Sequence, residues 1–249
     1  MLIESNNNTK VKKWTKLKQK KYRYQSKEFI VEGEHLVLEA MTSNVVKEIL
    51  VKEGSTIHLN PVFQEKNIPI YLLKEQLFMQ IASTETPQPI MAICEMKAKA
   101  IESSNRLLLL DRVQDPGNLG ALLRSAVAFG FDGVVLGEGC VDVYNEKVIR
   151  STQGAIFKIP MEVHSLKEYI SVLKENQVKV YGTSLENGKP LGEFEVSDQM
   201  AFILGNEGQG VDPELLLLTD KNIFIEMTQN IESLNVSIAG SIIMYQFRL

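Results

Sequence analysis

Residues 107–111 read LLLLD: four leucines closed by an acid, followed shortly by a helix-like segment and a second apolar run, GVVLG. A strand with no polar side leaves neither face for water, so it belongs inside a sheet covered on both sides. The segment between the runs, NLGALLRSAVAFG (118–130), has helical spacing and ends at a glycine, a common stop signal. After an irregular stretch the pattern resumes. A helix is expected near 166–176, then three more strand-like runs, VKVYGTS, AFILG (201–205) and IFIEM (223–227). The chain closes with SLNVSIAGSIIMYQF (233–247), which reads as a helix with Ser233 placed to cap it. Alternating strand and helix signals define the α/β class and a parallel sheet.

The first half carries a weaker form of the same signal. FIVEGEHLVLEAMTS reads as a strand running into an amphipathic helix. KEILVKEG and IPIYLL supply short apolar runs, and PQPIMAICEM a strand after a proline-marked loop. No cluster of catalytic residue types stands out there, which points to a small α/β module that binds or scaffolds. AKAIESSN (98–105), short, polar and free of aromatics, reads as a linker. The expected organisation is a basic segment and first domain over 1–97, a linker over 98–105 and a second domain over 106–249.

Composition excludes several classes. With 44% hydrophobic and 23% charged residues this is an ordinary globular chain. Cys94 and Cys140 stand far apart, outside any CxxC or His-rich spacing, so neither a disulfide framework nor a zinc site is expected. Two stray thiols fit a reducing cytoplasm. The first residues lack the apolar core of a signal peptide, and 233–247 is too short and too polar to span a bilayer. The expectation is therefore a cytoplasmic protein with no metal and no membrane partner.

Net charge is −4, but it is divided unevenly. Residues 1–27 hold nine Lys or Arg against Glu4 alone and carry +8, which leaves −12 on the other 222 residues. Trp14, Tyr22 and Tyr24 lie among these cations. Cations neutralise phosphates and aromatic faces stack on unpaired bases, so RNA contact is one reading. The other is a solvated basic helix whose Val11, Trp14 and Leu17 pack on their own domain.

The usual nucleotide fingerprints fail: there is no GxxxxGK[ST], and no GxGxxG opens a helix after a strand. The glycines cluster instead in ILGNEGQGVDPELL (203–216), between a strand and a helix, where backbone amides can approach a ligand closely. Together with DPGNLGALLRSA (115–126) and IEMTQNIESLNVSIAGSI (225–242), in that order and spacing, this segment resembles the three motifs of the SpoU (TrmH-like) branch of the SPOUT RNA methyltransferases. The likeness covers 106–249. It extends more loosely to FIVEGEHLVLEA, which looks like the RNA substrate-binding module found ahead of this catalytic domain.

The resemblance implies S-adenosylmethionine-dependent 2′-O-methylation of a ribose in structured RNA, with rRNA favoured over tRNA. It also implies a homodimer paired through the methyltransferase domains, and a parallel sheet whose C-terminal segment is threaded into a trefoil knot. Carried over by motif, the cofactor contacts fall on Gly205, Ile225 and Leu234, with Met227 lining the same pocket. The chemistry falls on Asn118, Arg124, Glu207, Ser233 and Asn235. Each has a blander reading. Ile225 and Leu234 suit a core, Asn118 and Asn235 a turn or cap, and Arg124 a surface ion pair. The apolar neighbours Leu122, Leu123, Ala126 and Val127 suggest instead that Arg124 is partly buried, with Glu207 as partner to it or to Asn118. Three competitors remain: a SPOUT enzyme that methylates a base, a tRNA ribose methyltransferase, and a non-catalytic RNA-binding factor.

Overall fold

In the first half the short apolar runs pair into one five-stranded mixed sheet. Its strands are β1 (Leu2–Ile3), β2 (Glu28–Glu32), β3 (Val46–Lys52), β4 (Ile70–Leu73) and β5 (Ile90–Glu95), in the order β1-β4-β3-β5-β2. β5 is antiparallel to β2 and β3, whereas β4 is parallel to β1 and β3. The helices are α1 (Thr9–Lys16), α2 (Lys20–Ser26), α3 (Glu34–Thr42) and α4 (Glu75–Ile81). The computed structural model describes every residue except 65–66, 98, 103–104, 196, 198, 229–232 and 249.

Residue spacing decides which way α1 faces. Val11 and Trp14 are three apart, and with Leu17 they join Leu77, Phe78 and Ile81 of α4 in one buried cluster against β3, β4 and β5. Trp14 is fully buried, and its indole N–H donates to Glu48 Oε2 at 2.8 Å. The packing reading therefore holds for Trp14: it is a core residue and has no face free for a base. Tyr22 is half-buried and Tyr24 is exposed.

In the second half every strand is parallel to its neighbours. β6 (Arg106–Leu110) is buried along its length, as LLLLD requires. Helix α5 (Pro116–Ala128) follows, then β7 (Gly133–Leu136). α5 begins two residues before the expected start, with Pro116 in its first turn and Asp115 as its cap, accepting from the Asn118 amide at 2.8 Å. It stops before Gly130, whose φ of +72° suits a glycine.

Residues 142–157, expected in the second domain, group instead with 1–97 in one compact unit, while 98–141 and 158–249 form the other. This returning segment carries α6 (Glu146–Thr152). Asp142 accepts from the buried Arg23 at 2.5 Å and from the Tyr24 hydroxyl at 2.9 Å. The charge pattern gave no warning of that pairing. Of the expected linker, residues 98, 103 and 104 lie outside the described residues; Ile101 packs its side chain over Gly133, within the second unit.

The chain then adds β8 (Met161–Val163), α7 (Leu166–Glu175), β9 (Lys179–Thr183), β10 (Gly188–Pro190), β11 (Met200–Leu204), α8 (Pro213–Leu216), β12 (Lys221–Phe224) and α9 (Val236–Gln246). The order across the sheet is β10-β12-β9-β11-β6-β7-β8. Ile170 and Leu173 of α7 pack on Leu107, Leu109, Val180 and Ile203. α5 and α9 meet each other, joined by a Ser125–Ser241 hydroxyl pair at 2.7 Å. Two expected boundaries move. β12 ends at Phe224, which leaves Ile225 and Met227 in a loop, and the cap of α9 is Asn235 and not Ser233. Asn235 accepts from the backbone amides of Ser237 and Ile238, which are the unpaired donors of a first helical turn. Among the described residues no helix is long and apolar enough to cross a membrane.

Candidate active site

β12, β9, β11 and β6 are consecutive across the sheet and all parallel. Their carboxyl ends therefore open on one side, the edge where parallel α/β sheets bind ligands. A cavity of about 470 Å³ lies there. Ile225, Met227, Ser233 and Leu234 line it from the β12–α9 connection, and Gly210 and Val211 from the loop after β11. Three of the four expected cofactor residues thus share one cavity, with Ser233 beside them. Residues 229–232 of the third motif lie outside the described residues.

Gly205 does not line the cavity; it permits the loop that does. The chain doubles back at 206–210, where the Asn206 amide donates to the Gly210 carbonyl at 3.0 Å and the Gly210 amide to the Asn206 carbonyl at 2.9 Å. A Cβ on Gly205 would stand 2.0 Å from the Gly210 carbonyl carbon. Gly210 itself sits at φ +70°, where side chains are strained. The turn is pinned to the end of β6. Buried Asp111 accepts from the Asp212 amide at 2.8 Å and from both arms of the Arg112 guanidinium at 2.9 and 3.0 Å. Asn206 donates its side-chain amide to the Arg112 carbonyl at 3.0 Å.

Beside this loop three motif residues join in a chain. Glu207 Oε1 accepts from Asn118 Nδ2 at 3.0 Å and from the Asp115 amide at 3.1 Å. Asn118 Oδ1 accepts from Asn235 Nδ2 at 3.0 Å, and Asn235 Oδ1 accepts from the Ser237 amide at 2.9 Å. The polarity is fixed at both ends, because a carboxylate can only accept and a backbone amide can only donate. Each asparagine has one orientation that satisfies both neighbours. Burial by itself would push the Glu207 carboxyl up, but the Asn118 amide and the backbone amides of Asp115 and Gln114 hold it below the usual carboxylate range.

Arg124 stands apart from this chain. It lies six residues beyond Asn118, about 9 Å along the helix and on another face. It is exposed and, among the described residues, has neither a hydrogen bond nor an ion pair. The expectation of partial burial is corrected: its apolar neighbours point inward while the guanidinium faces solvent. Glu207 partners Asn118, not Arg124. The loop after β9 was missed. Thr183, Ser184, Leu185 and Glu186 all line the cavity. Their signal was the polar end of VKVYGTS, a strand terminus at the ligand edge. Among the described residues no group of three His, Cys, Asp or Glu is arranged to hold a metal ion.

The second unit is thus an α/β domain with its ligand cavity beyond the strand ends, carried with a smaller α/β module. Residues 105–245 match the SpoU rRNA Methylase family and residues 8–92 the MRM3-like substrate binding domain, and the chain belongs to the SpoU family. It is 47% identical to the Bacillus subtilis 23S rRNA (guanosine(2553)-2′-O)-methyltransferase RlmP, over 99% of this chain and 98% of that one. Among solved structures it resembles the AdoMet-bound rRNA methyltransferase of Sinorhizobium meliloti, with a TM-score of 0.88 and 25% identity over 99% of this chain and 96% of that one. It also resembles an RNA 2′-O ribose methyltransferase, with a TM-score of 0.83 and 26% identity over 99% and 97% of the two chains.

Proposed function

We propose that this protein transfers a methyl group from S-adenosylmethionine to the 2′-hydroxyl of a guanosine in 23S rRNA, the reaction named for its Bacillus subtilis relative. One observation carries the reading. Asn118, Glu207 and Asn235, up to 117 residues apart in the chain, meet in one hydrogen-bonded array, and Gln209, Ser233 and Leu234, within two residues of its members, line the cavity with Ile225 and Met227. The cavity fits the cofactor. Its apolar walls suit an adenine and a thioether-like chain, the Gly205 turn lets backbone groups approach closely, and Ser184 and Glu186 offer polar partners.

Bound there, the cofactor would supply a methyl group that is already activated. The protein's task is to align the ribose hydroxyl and ease the loss of its proton. Arg124 is a poor general base, since a guanidinium stays protonated. We assign it to the phosphate beside the target ribose and to the developing alkoxide, with the proton leaving to phosphate or water. Its exposure, and the lack of a partner among the described residues, suit that contact. Asn118, Glu207 and Asn235 are positioning residues that hold α5, the glycine loop and the start of α9 in one register.

The finer readings of assembly follow the same line. Ile238, Ile242 and Tyr245 lie at i, i+4 and i+7 on α9 and are all exposed. That apolar stripe is the surface we assign to a second copy of the chain. The sheet order and the return of α9 to α5 suit a C-terminus threaded as a trefoil knot. Unpaired Cys94 and Cys140 suit the cytoplasm.

The test is incubation with labelled cofactor and rRNA from cells lacking the gene, followed by nucleoside analysis. The expected product is 2′-O-methylguanosine at one site in 23S rRNA. Labelled base-methylated nucleosides alone would overturn the ribose assignment, labelled tRNA alone the substrate, and no label at all the activity.

A further inference from the structure

The fold sorts the cations of the first 27 residues into two sets. Lys10 pairs with Glu48, Lys13 with Glu28 at 2.6 Å, and Arg23 with Asp142 at 2.5 Å. These three are spent holding the first unit together. Lys12, Lys16, Lys18, Lys20, Lys21 and Lys27 are exposed and, among the described residues, have no acidic partner.

Two of the free cations are organised. Lys12 and Lys16, one turn apart on α1, line an open groove of about 490 Å³ together with Tyr22, Gln25 and Ser26 of α2 and with Lys13, whose ammonium is held by Glu28. The Lys16 ammonium lies 5.2 Å from the Tyr22 ring centroid, and that of Lys21 lies 6.0 Å from it. No carboxylate is among the groove's lining residues. Like charges four apart destabilise a helix, so folding gains nothing from this pair. The rest of the chain carries a net −12 over residues 28–249, so the surplus of positive charge lies in the first 27 residues. A cation pair beside a half-buried ring, with an amide and a hydroxyl next to it, suits phosphates with a base between them.

We propose that the α1–α2 groove holds a single-stranded stretch of the substrate RNA, with Lys12 and Lys16 on its phosphates and an unpaired base against Tyr22. This rests on the RNA methyltransferase reading above. It replaces the sequence-level picture in which all three aromatics stack, since Trp14 is in the core and Tyr24 is bonded to Asp142. Each phosphate contact contributes about 0.7–0.9 to the salt dependence of binding, and a stacked base adds affinity that salt leaves untouched. The two halves of the groove are therefore separable.

The full-length protein is titrated with unmethylated 23S rRNA at several salt concentrations, and its kinetics are measured with the same RNA. Combined Lys12→Gln and Lys16→Gln should lower the salt slope by about 1.5 and raise KM for RNA roughly tenfold, with the change falling on KM and not kcat. Tyr22→Leu should raise KM severalfold at an unchanged slope, and Tyr22→Phe should restore it. Lys179→Gln, a lost exposed cation in the second unit, should move neither. An unchanged slope in the lysine double variant, or an equal loss in Lys179→Gln, overturns the groove. Ribose methylation that is indifferent to Lys12 and Lys16 leaves the reaction standing without the groove. Groove-dependent RNA binding with no methylated product leaves the groove standing without the reaction.

Discussion

Glu207 is a carboxylate surrounded by donors, and that makes Asn118 sensitive to a change of a single atom type. In Asn118→Asp the bond from Asn235 Nδ2 survives, but the donor to Glu207 becomes a second acceptor facing a carboxylate. Two carboxylates in contact cannot both ionise freely, so one proton is held to higher pH. Methyl transfer at neutral pH should fall by at least tenfold, and a pH–rate profile should show partial recovery on acidification, when a shared proton restores the hydrogen bond. An acid-insensitive loss would mean that Asn118 contacts substrate directly. In the native chain the sign is opposite. The Glu207 carboxyl is held below its ordinary value near 4.3, so its contribution to stability is present above that pH and is lost as pH falls through the lowered value. Arg124→Lys tests the other half of the site. It keeps the charge and loses the planar fork, so transfer should fall about a hundredfold or more while cofactor affinity, measured by calorimetry, changes little. Joint collapse of both would make Arg124 a structural residue.

At the scale of elements, the site depends on how helices start and how one loop closes. Asn235 both caps α9 and donates to Asn118. Asn235→Ala should cost about 1 kcal/mol of stability through the lost cap, together with activity. Asn235→Ser should return most of the stability, since serine also caps, but not the activity, since a hydroxyl in place of the amide does not rebuild the bond to Asn118. Thermal melts set beside initial rates separate the two roles; recovery of both by serine would reduce Asn235 to a cap. Gly205→Ala would push a methyl group into the Gly210 backbone, which cannot move aside as a flexible side chain does. The loop after β11 should open, and cofactor affinity should fall at least tenfold, with a destabilisation of roughly 1–3 kcal/mol. Near-native cofactor binding in this variant would show that the turn is not what shapes the cavity.

At the scale of the whole molecule, α9 has two lives. Its inner face, with Ile243 and Met244, is buried in its own fold, while Ile238 and Tyr245 are just over half exposed. If a second chain covers that stripe, sedimentation should give about twice the 28.0 kDa chain mass. Ile238→Glu should shift the protein to a monomer without unfolding it, because the substituted side chain points away from its own core. A native protein that sediments as an active monomer would leave the stripe without a partner.

The sequence by itself determined the elements that are buried on every side and the motif spacing. LLLLD had to be a buried strand, because period and residue type are local properties; the three segments resembling the SpoU motifs pointed to a site only through that resemblance. It determined less where the decision depended on what lies opposite in space. Trp14 among lysines read equally well as stacker or core until Glu48 and Tyr71 were seen beside it. Arg124 among leucines suggested burial, yet a helix with one buried face turns its neighbour outward. Ser233 and Asn235 were both plausible caps, and only the chain's path from Phe224 to Val236 selected Asn235. The return of residues 142–157 to the first unit and the cavity lining from Ser184 to Glu186 left almost no local trace. The hydrogen bonds and contacts that fix them join residues far apart in the chain, and only tertiary packing brings those residues together.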